Sequence, residues 1–155
     1  MIIKNYKELE RVVEKLRKNG KKIVTCNGSF DLMHAGHLKF LKEAKEQGDV
    51  LIIGLNTDKS IKKYKSKDRP IIDEKNRIAM MDAIRYVDYV VLFDEVEPRK
   101  LLSIIKPDVH VNGEEYGKDC IEAPVVRKYG GKIHIVKKAK GLSTSNIIKK
   151  IKSLL

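Results

Sequence analysis

Two histidines, His34 and His37, stand three residues apart around Gly36, in the stretch Asn27-Gly28-Ser29-Phe30-Asp31-Leu32-Met33-His34-Ala35-Gly36-His37. A short apolar run precedes the stretch and an amphipathic helical pattern follows it. The first backbone N–H groups of a helix have no partner within it and carry partial positive charge, so anions settle there. Imidazoles at that place can donate hydrogen bonds to phosphate oxygens, and the glycines let the backbone approach a ligand closely. These residues therefore read as a nucleotide phosphate site. Two plainer readings stand beside it. His34 and His37 share a helix face and would suit a metal pair, but zinc needs a third protein ligand and only Asp31 is suitably spaced. They would otherwise be core histidines satisfied by backbone groups.

A second candidate lies near the end of the chain. Gly141-Leu142-Ser143-Thr144-Ser145-Asn146 precedes the apolar pair Ile147-Ile148. By itself this is an ordinary hydroxyl helix cap. Beside the first motif it becomes a second helix start with N–H and O–H donors, and two such starts could grip one triphosphate. Between them runs a lysine-rich stretch, Lys59 to Lys67. Lys62, Lys63, Lys65 and Lys67 there read as solvated surface, or as a mobile loop folding over a polyphosphate. No Gly-x-x-x-x-Gly-Lys-Ser/Thr and no Gly-x-Gly-x-x-Gly occurs, which counts against P-loop kinases and dinucleotide enzymes.

The elements that must carry these residues alternate along the chain. Tyr6, Leu9, Val12, Val13 and Leu16 recur at helical spacing, stopped by Asn19-Gly20. Lys21 to Cys26 reads as a strand ending in an Asn27-Gly28 turn. A helix from about His34 to Gln47 buries Leu38, Leu41 and Ala44, and Val50 to Leu55 is a strand apolar on both faces. The lysine stretch reads as a loop closed by Asp68-Arg69-Pro70. Asp73 caps a helix from Glu74 to Arg85, and Tyr89 to Phe93 is the next strand. Pro98 opens a helix through Ile105. Val109 to Val111 is a strand, Asn112 to Gly117 a loop, Ala123 to Lys128 a helix, Lys132 to Val136 the last strand, and Thr144 to Leu154 the last helix. The expected fold is a Rossmann-like three-layer α/β/α arrangement with a parallel sheet and right-handed crossovers. Ligands then bind at the carboxyl ends of the strands, where the loops Asn27–Gly36, Asn56–Arg69, Asn112–Gly117 and Lys137–Ser145 meet.

Composition agrees with a globular domain. The 155 residues are 42% hydrophobic, enough for a core, and no apolar run reaches the length of a membrane span. The start is too quickly charged for an export signal, which leaves cytoplasmic residence as the expectation. Lys and Arg number 33 against 21 Asp and Glu, a net +12. That excess favours polyanions in general. The charges are scattered along helix faces and tryptophan is absent, unlike a nucleic-acid module. Cys26 and Cys120 make no disulfide framework; Cys26 reads as buried and Cys120 as exposed.

Together the motifs resemble the cytidylyltransferase-like branch of the nucleotidyltransferases. Gly-x-Phe-Asp-x-x-His-x-Gly-His is met by Gly28 to His37, and the late Gly-x-Ser-Thr-Ser/Thr by Gly141 to Ser145. Asn56-Thr57-Asp58, Arg69-Pro70, Arg77, Arg85-Tyr86-Val87-Asp88 and Pro107-Asp108-Val109 follow in order, so the likeness runs from about Ile23 to Ile151. Within that branch the chain most resembles the D-glycero-β-D-manno-heptose 1-phosphate adenylyltransferase domain of ADP-heptose synthases. Asp68 to Ile71, Pro107 to Gly113, and Val125-Val126 with Gly130-Gly131-Lys132 carry that likeness. Two departures stand out: Asn112-Gly113-Glu114-Glu115-Tyr116 replaces the usual Lys-Gly-Gly-Asp-Tyr, and Lys138 replaces the arginine of cytidylyltransferases.

The resemblance implies one nucleotidyltransferase domain over 1–155, with an N-terminal helix in 1–20 and a catalytic core in 21–155. Because 155 residues leave no room for the sugar kinase that precedes the domain in the bifunctional form, a stand-alone transferase is expected. It further implies attack of a sugar-phosphate oxygen on the α-phosphorus of ATP with release of pyrophosphate, in ADP-heptose formation for the lipopolysaccharide core. His34, His37 and Lys65 would be catalytic, and Mg²⁺ would accompany ATP with few protein ligands. Ser29, Phe30, Asp31, Asn112, Gly113, Gly141, Leu142, Ser143, Thr144 and Ser145 would join the histidines in nucleotide binding. Lys63 and Arg77 would touch the substrate phosphate or the loop. No protein metal site, no nucleic acid and no membrane partner is expected, and the family likeness suggests a homodimer. The alternatives are a glycerol 3-phosphate cytidylyltransferase, another small phosphate-ester transferase, or a non-enzymatic nucleic-acid-binding module.

Overall fold

The computed structural model describes residues 1–138, 141 and 143–154. Its sheet has six parallel strands: β1 (Ile2–Ile3), β2 (Ile23–Gly28), β3 (Val50–Asn56), β4 (Tyr89–Phe93), β5 (Val109–Gly113) and β6 (Lys132–Val136), in the order β1-β4-β3-β2-β5-β6. Between them run α1 (Tyr6–Lys18), α2 (Ala35–Lys45), α3 (Asp58–Tyr64), α4 (Glu74–Asp82), α5 (Arg99–Ile105) and α6 (Ala123–Lys128), and α7 (Thr144–Lys152) follows β6. This is the expected Rossmann-like α/β arrangement.

Alternation along the strands divides the core into two layers. Val24 and Cys26 of β2 pack with Leu41, Ala44 and Met81 of α2 and α4, whereas Ile23 packs with Leu9, Val13, Leu101 and Ile105 of α1 and α5. Every residue of β3 is buried, as a strand covered on both faces requires. Gly54 in β3 lets α5 come close, because a Cβ there would meet Leu101 Cδ2 at 2.5 Å. Each fully buried Leu or Ile in these layers contributes roughly 1.5–3 kcal/mol.

The order of the strands opens a crevice in the sheet edge. From β2 the chain winds outward through β3 and β4, then crosses back to β5 on the other side of β2. The loops leaving β2 and β5 therefore diverge to opposite faces and open a crevice at their carboxyl ends. Asn27-Gly28 and Asn112-Gly113 stand on its two sides.

Several sequence expectations are corrected. The lysine-rich stretch is not all loop: Thr57 Oγ1 accepts from Ser60 N at 3.1 Å and starts α3, which Ser60 and Ile61 anchor in the interior. The signal is Asn56-Thr57-Asp58, a helix cap masked by the lysines after it. Leu38 is 44% exposed rather than buried, because α2 turns its Leu41 and Ala44 to the sheet. Cys120 is 6% exposed, covered near Asn112 and Glu122, and burial pushes its thiol up. The edge strand β1, only two residues long, is too short to leave a periodic pattern. β5 runs on through Asn112 and Gly113, which were expected in a loop.

Candidate active site

His34 is the N-cap of α2, and its ring closes the helix start in an unusual way. His34 Nδ1 accepts from Gly36 N at 3.1 Å, while His37 Nδ1 accepts from His34 N at 3.2 Å. A nitrogen that accepts a hydrogen bond carries no proton, so each neutral ring keeps its proton on Nε2. Two Nε2–H donors result, on rings whose centroids lie 4.0 Å apart. Both rings line a cavity of about 270 Å³ at the crevice between β2 and β5.

Electrostatics keep these donors neutral. Burial pushes the His37 imidazole down to about 4, helped by the fields of His34 and Lys65. His34 moves the same way, through burial and then Lys138. With a free imidazole near 6.5 in the unfolded chain, the unfolded state binds the extra proton between pH 6.5 and about 4. Stability contributed by neutral His37 is complete above 6.5 and lost as pH falls through that window. His37→Gln is expected to flatten this acid limb when Tm is measured against pH. An unchanged slope would show that His37 titrates normally.

The loop before α2 is held in a strained form. Phe30, a non-glycine residue, has φ +43°, a conformation that costs of order 1–3 kcal/mol. Burial of its ring offsets this, packed on Gly28 and 5.7 Å from the His37 ring. Asp31, only 2% exposed, accepts from Arg69 Nε at 2.8 Å and from the backbone N–H groups of Ile71 and Ile72. Arg69 Nη2 lies 2.7 Å from the same carboxylate. Asp31 is therefore a latch that pins the segment after α3 beside the cavity. From that segment Lys65 reaches across to donate to Ser29 Oγ at 2.8 Å. Burial and the neighbouring Arg69 lower its ammonium pKa.

The last helix start meets the first through Thr144, whose Oγ1 donates to the Leu32 carbonyl at 3.1 Å. Ser143 Oγ accepts from Asn146 N at 3.1 Å, so its own hydroxyl proton stays available. Gly141 takes φ +76° ahead of this cap. Thus Ser29, Phe30, Asp31, His34, His37, Lys65, Asn112, Gly113, Ser143 and Thr144 all line one cavity.

Other candidates are placed elsewhere. Arg77 does not reach the cavity: it is 1% exposed, donating to the Ile72 and Ser29 carbonyls at 2.9 and 2.6 Å and pairing with Asp58 at 2.7 Å. It braces the backbone of the site loop from beneath. Lys63 is exposed on α3, and Gly141 and Ser145 are not part of the cavity wall. Leu142 lies outside the described residues. Sequence reasoning missed Phe40 and Val136, which do line it, and placed Asn27 and Lys137 in the stretches expected at the ligand end without giving either a role. Within its stretch Asn27 reads as a turn residue, and the pairing of β2 with β5 brings it across from β5.

Among the described residues, no group of three or more His, Cys, Asp or Glu side chains is disposed to hold a metal ion. The oxygens of Asp31 are taken up by Arg69, Ile71 and Ile72. No helix among the described residues is long and apolar enough to cross a membrane.

Comparison with known proteins agrees with this geometry. A family model described as cytidylyltransferase-like matches residues 25–151, which carry both helix starts. The bifunctional protein HldE of Geobacter metallireducens is 45% identical over 150 residues, which are 96% of this chain and 31% of that protein. The HldE of Campylobacter jejuni subsp. doylei is also 45% identical, over 96% of this chain and 32% of its own length. The chain thus spans about a third of the length of these curated relatives. A lipopolysaccharide core biosynthesis protein from Thermoplasma volcanium superposes with TM-score 0.63 at 31% identity, covering 78% of this chain and 98% of that one. Pantoate-beta-alanine ligase from Francisella tularensis shares the fold, with TM-score 0.66 at 18% identity over 98% of this chain and 77% of its own. With the match spanning both helix starts and the crevice between β2 and β5, this chain belongs to the cytidylyltransferase-like family.

Proposed function

We propose that this chain transfers the adenylyl group of ATP to D-glycero-β-D-manno-heptose 1-phosphate, giving ADP-heptose and pyrophosphate. The observation that carries the reading is the pair of neutral Nε2–H donors on His34 and His37, in one cavity with Lys65 and Ser143. The choice of acceptor rests on the likeness of Asp68 to Ile71 and Pro107 to Gly113 to the ADP-heptose synthases. The 45% identity to HldE proteins supports it. Lys138, which stands where cytidylyltransferases place arginine, lines the cavity and weakens the case for CTP in this reading.

In the reaction a phosphate oxygen of the sugar forms a new bond to the α-phosphorus, and the bond to the β-phosphate bridge breaks. The nucleophile is already anionic, so no general base is needed and positioning with charge stabilisation supplies the catalysis. The donors of His34 and His37 would hold the α- and β-phosphates, His37 nearer the leaving side. Lys65 would exchange Ser29 for a phosphate oxygen as charge develops, and the Ser143 hydroxyl would hold the β/γ end. Mg²⁺ accompanying ATP would supply charge neutralisation at the phosphates, with few ligands from the protein. The reading takes the domain as a cytoplasmic homodimer without a nucleic-acid partner.

Ligand binding raises stability by mass action, so Tm measured with ATP, CTP and GTP should rise most with ATP. Pyrophosphate release, crossed between those nucleotides and heptose 1-phosphates or glycerol 3-phosphate, should be fastest for ATP with the heptose. Faster release from CTP with glycerol 3-phosphate would replace the assignment.

A further inference from the structure

The two walls of the cavity stand on strands that separate just below it. β2 stays paired with β3 through Gly28, and β5 stays paired with β6 through Gly113. Between β2 and β5 the pairing covers only Val24 with Val109 and Thr25 with His110. A buried hydrogen bond of 2.8 Å between Thr25 Oγ1 and His110 Nδ1 reinforces that last rung. Two residues further along, past the paired rungs, Asn27 lines the cavity from the β2 wall and Asn112 from the β5 wall.

Glu122, the residue before α6, closes this gap and is 5% exposed. Its Oε1 accepts from Asn27 Nδ2 at 3.2 Å and its Oε2 from Asn112 Nδ2 at 3.1 Å. Among the described residues, no other side chain is hydrogen-bonded to both asparagines. Burying a carboxylate against neutral amides is costly, and apolar side chains would join α6 to the sheet at less cost. Apolar contact, however, is non-directional and holds no fixed spacing. A carboxylate with one amide on each oxygen does hold one, because charge-assisted hydrogen bonds are directional and roughly twice as strong as neutral ones.

We propose that Glu122 is a positioning residue whose carboxylate ties the Asn27 wall to the Asn112 wall where strand pairing stops, and so fixes the width of the cavity for a nucleotide that touches both. The inference rests on the nucleotidyl-transfer reading. Without the tie, the nucleotide itself must draw the walls together, and ordering them on binding lowers affinity. The histidine donors are held from the β2 side alone, by the cap of α2 and the Asp31 latch, so the transfer step at saturation is spared.

Glu122→Met tests this, since it keeps the volume and removes both links. The expected result is a rise of about tenfold in KM for ATP, with kcat little changed. Glu122→Gln keeps the reach and one acceptor, so its KM for ATP should lie between those of wild type and Glu122→Met. Amide hydrogen exchange should quicken in residues 27–30 and 112–116 of both variants and stay unchanged in β3. An unchanged KM for ATP in Glu122→Met overturns the proposal. So do equal rises in the two variants, or a fall in kcat as large as the rise in KM. If Glu122→Met does not fold, Glu122→Gln decides alone, through its KM and its exchange. If wild-type protein releases no pyrophosphate, the transfer reading fails. The exchange rates, and the Tm shift that ATP gives wild type and Glu122→Gln, then still decide whether Glu122 ties the walls.

Discussion

His37→Ala is expected to lower kcat/KM by roughly 10²- to 10³-fold in a pyrophosphate-release assay, the scale of losing one preorganised donor to a developing charge. The loss is this large because the His37 ring acts in two ways. Its Nδ1 accepts from His34 N and closes the helix start, and its Nε2–H is the donor left for a phosphate in the proposed reaction. Removing it costs the donor and loosens the neighbouring His34, whose ring lies 4.0 Å away. His37→Asn separates the two effects, since its carbonyl can still accept from the His34 backbone. It should keep the stability of the helix start and recover little of the rate. Near-normal turnover in His37→Ala would remove the histidine pair from the mechanism.

The second large effect is expected at Asp31. Asp31→Ala leaves Arg69, with a side chain 18% exposed, without its partner and strips two backbone N–H groups of their acceptor. Breaking such a buried pair by removing one side costs about 3–5 kcal/mol, visible as a lower denaturation midpoint. The same change frees the segment that carries Lys65, so turnover should fall as well. Lys65→Ala provides the contrast: it should cut turnover while stability stays within about 0.5 kcal/mol of wild type, as for other exposed positions. If Asp31→Ala lost rate without stability, Asp31 would be touching substrate rather than latching the segment.

These predictions divide along the line between what is legible in the sequence and what is not. The parallel α/β layout can be read, because a continuous apolar run such as Val50 to Leu55 suits a strand covered on both faces. The two helix starts can be read too, because capping chemistry is local. Asp73, for example, accepts from Asn76 N at 2.9 Å, as its place before α4 suggests. Where the reading fails, a side chain's role depends on distant chain. Arg77 reads in sequence as a contact to the substrate phosphate or to the loop, and only the fold separates the two, with Asp58, Ser29 and Ile72 enclosing its guanidinium. Leu38 looks like core, yet α2 packs on the sheet through Leu41 and Ala44 and leaves it exposed.

The amino-acid sequence by itself determined the alternation of strands and helices and the donor types at both helix starts, since periodicity and capping act over a few residues. Tertiary structure decided which donors share one cavity. Asp31 became a latch only where Arg69 folded back on it, and Asn27 met Asn112 only through the pairing of β2 with β5. In that pairing Thr25 and His110, joined at 2.8 Å, stand 85 positions apart in the chain. Such contacts depend on how the whole chain closes on itself, which no local pattern encodes.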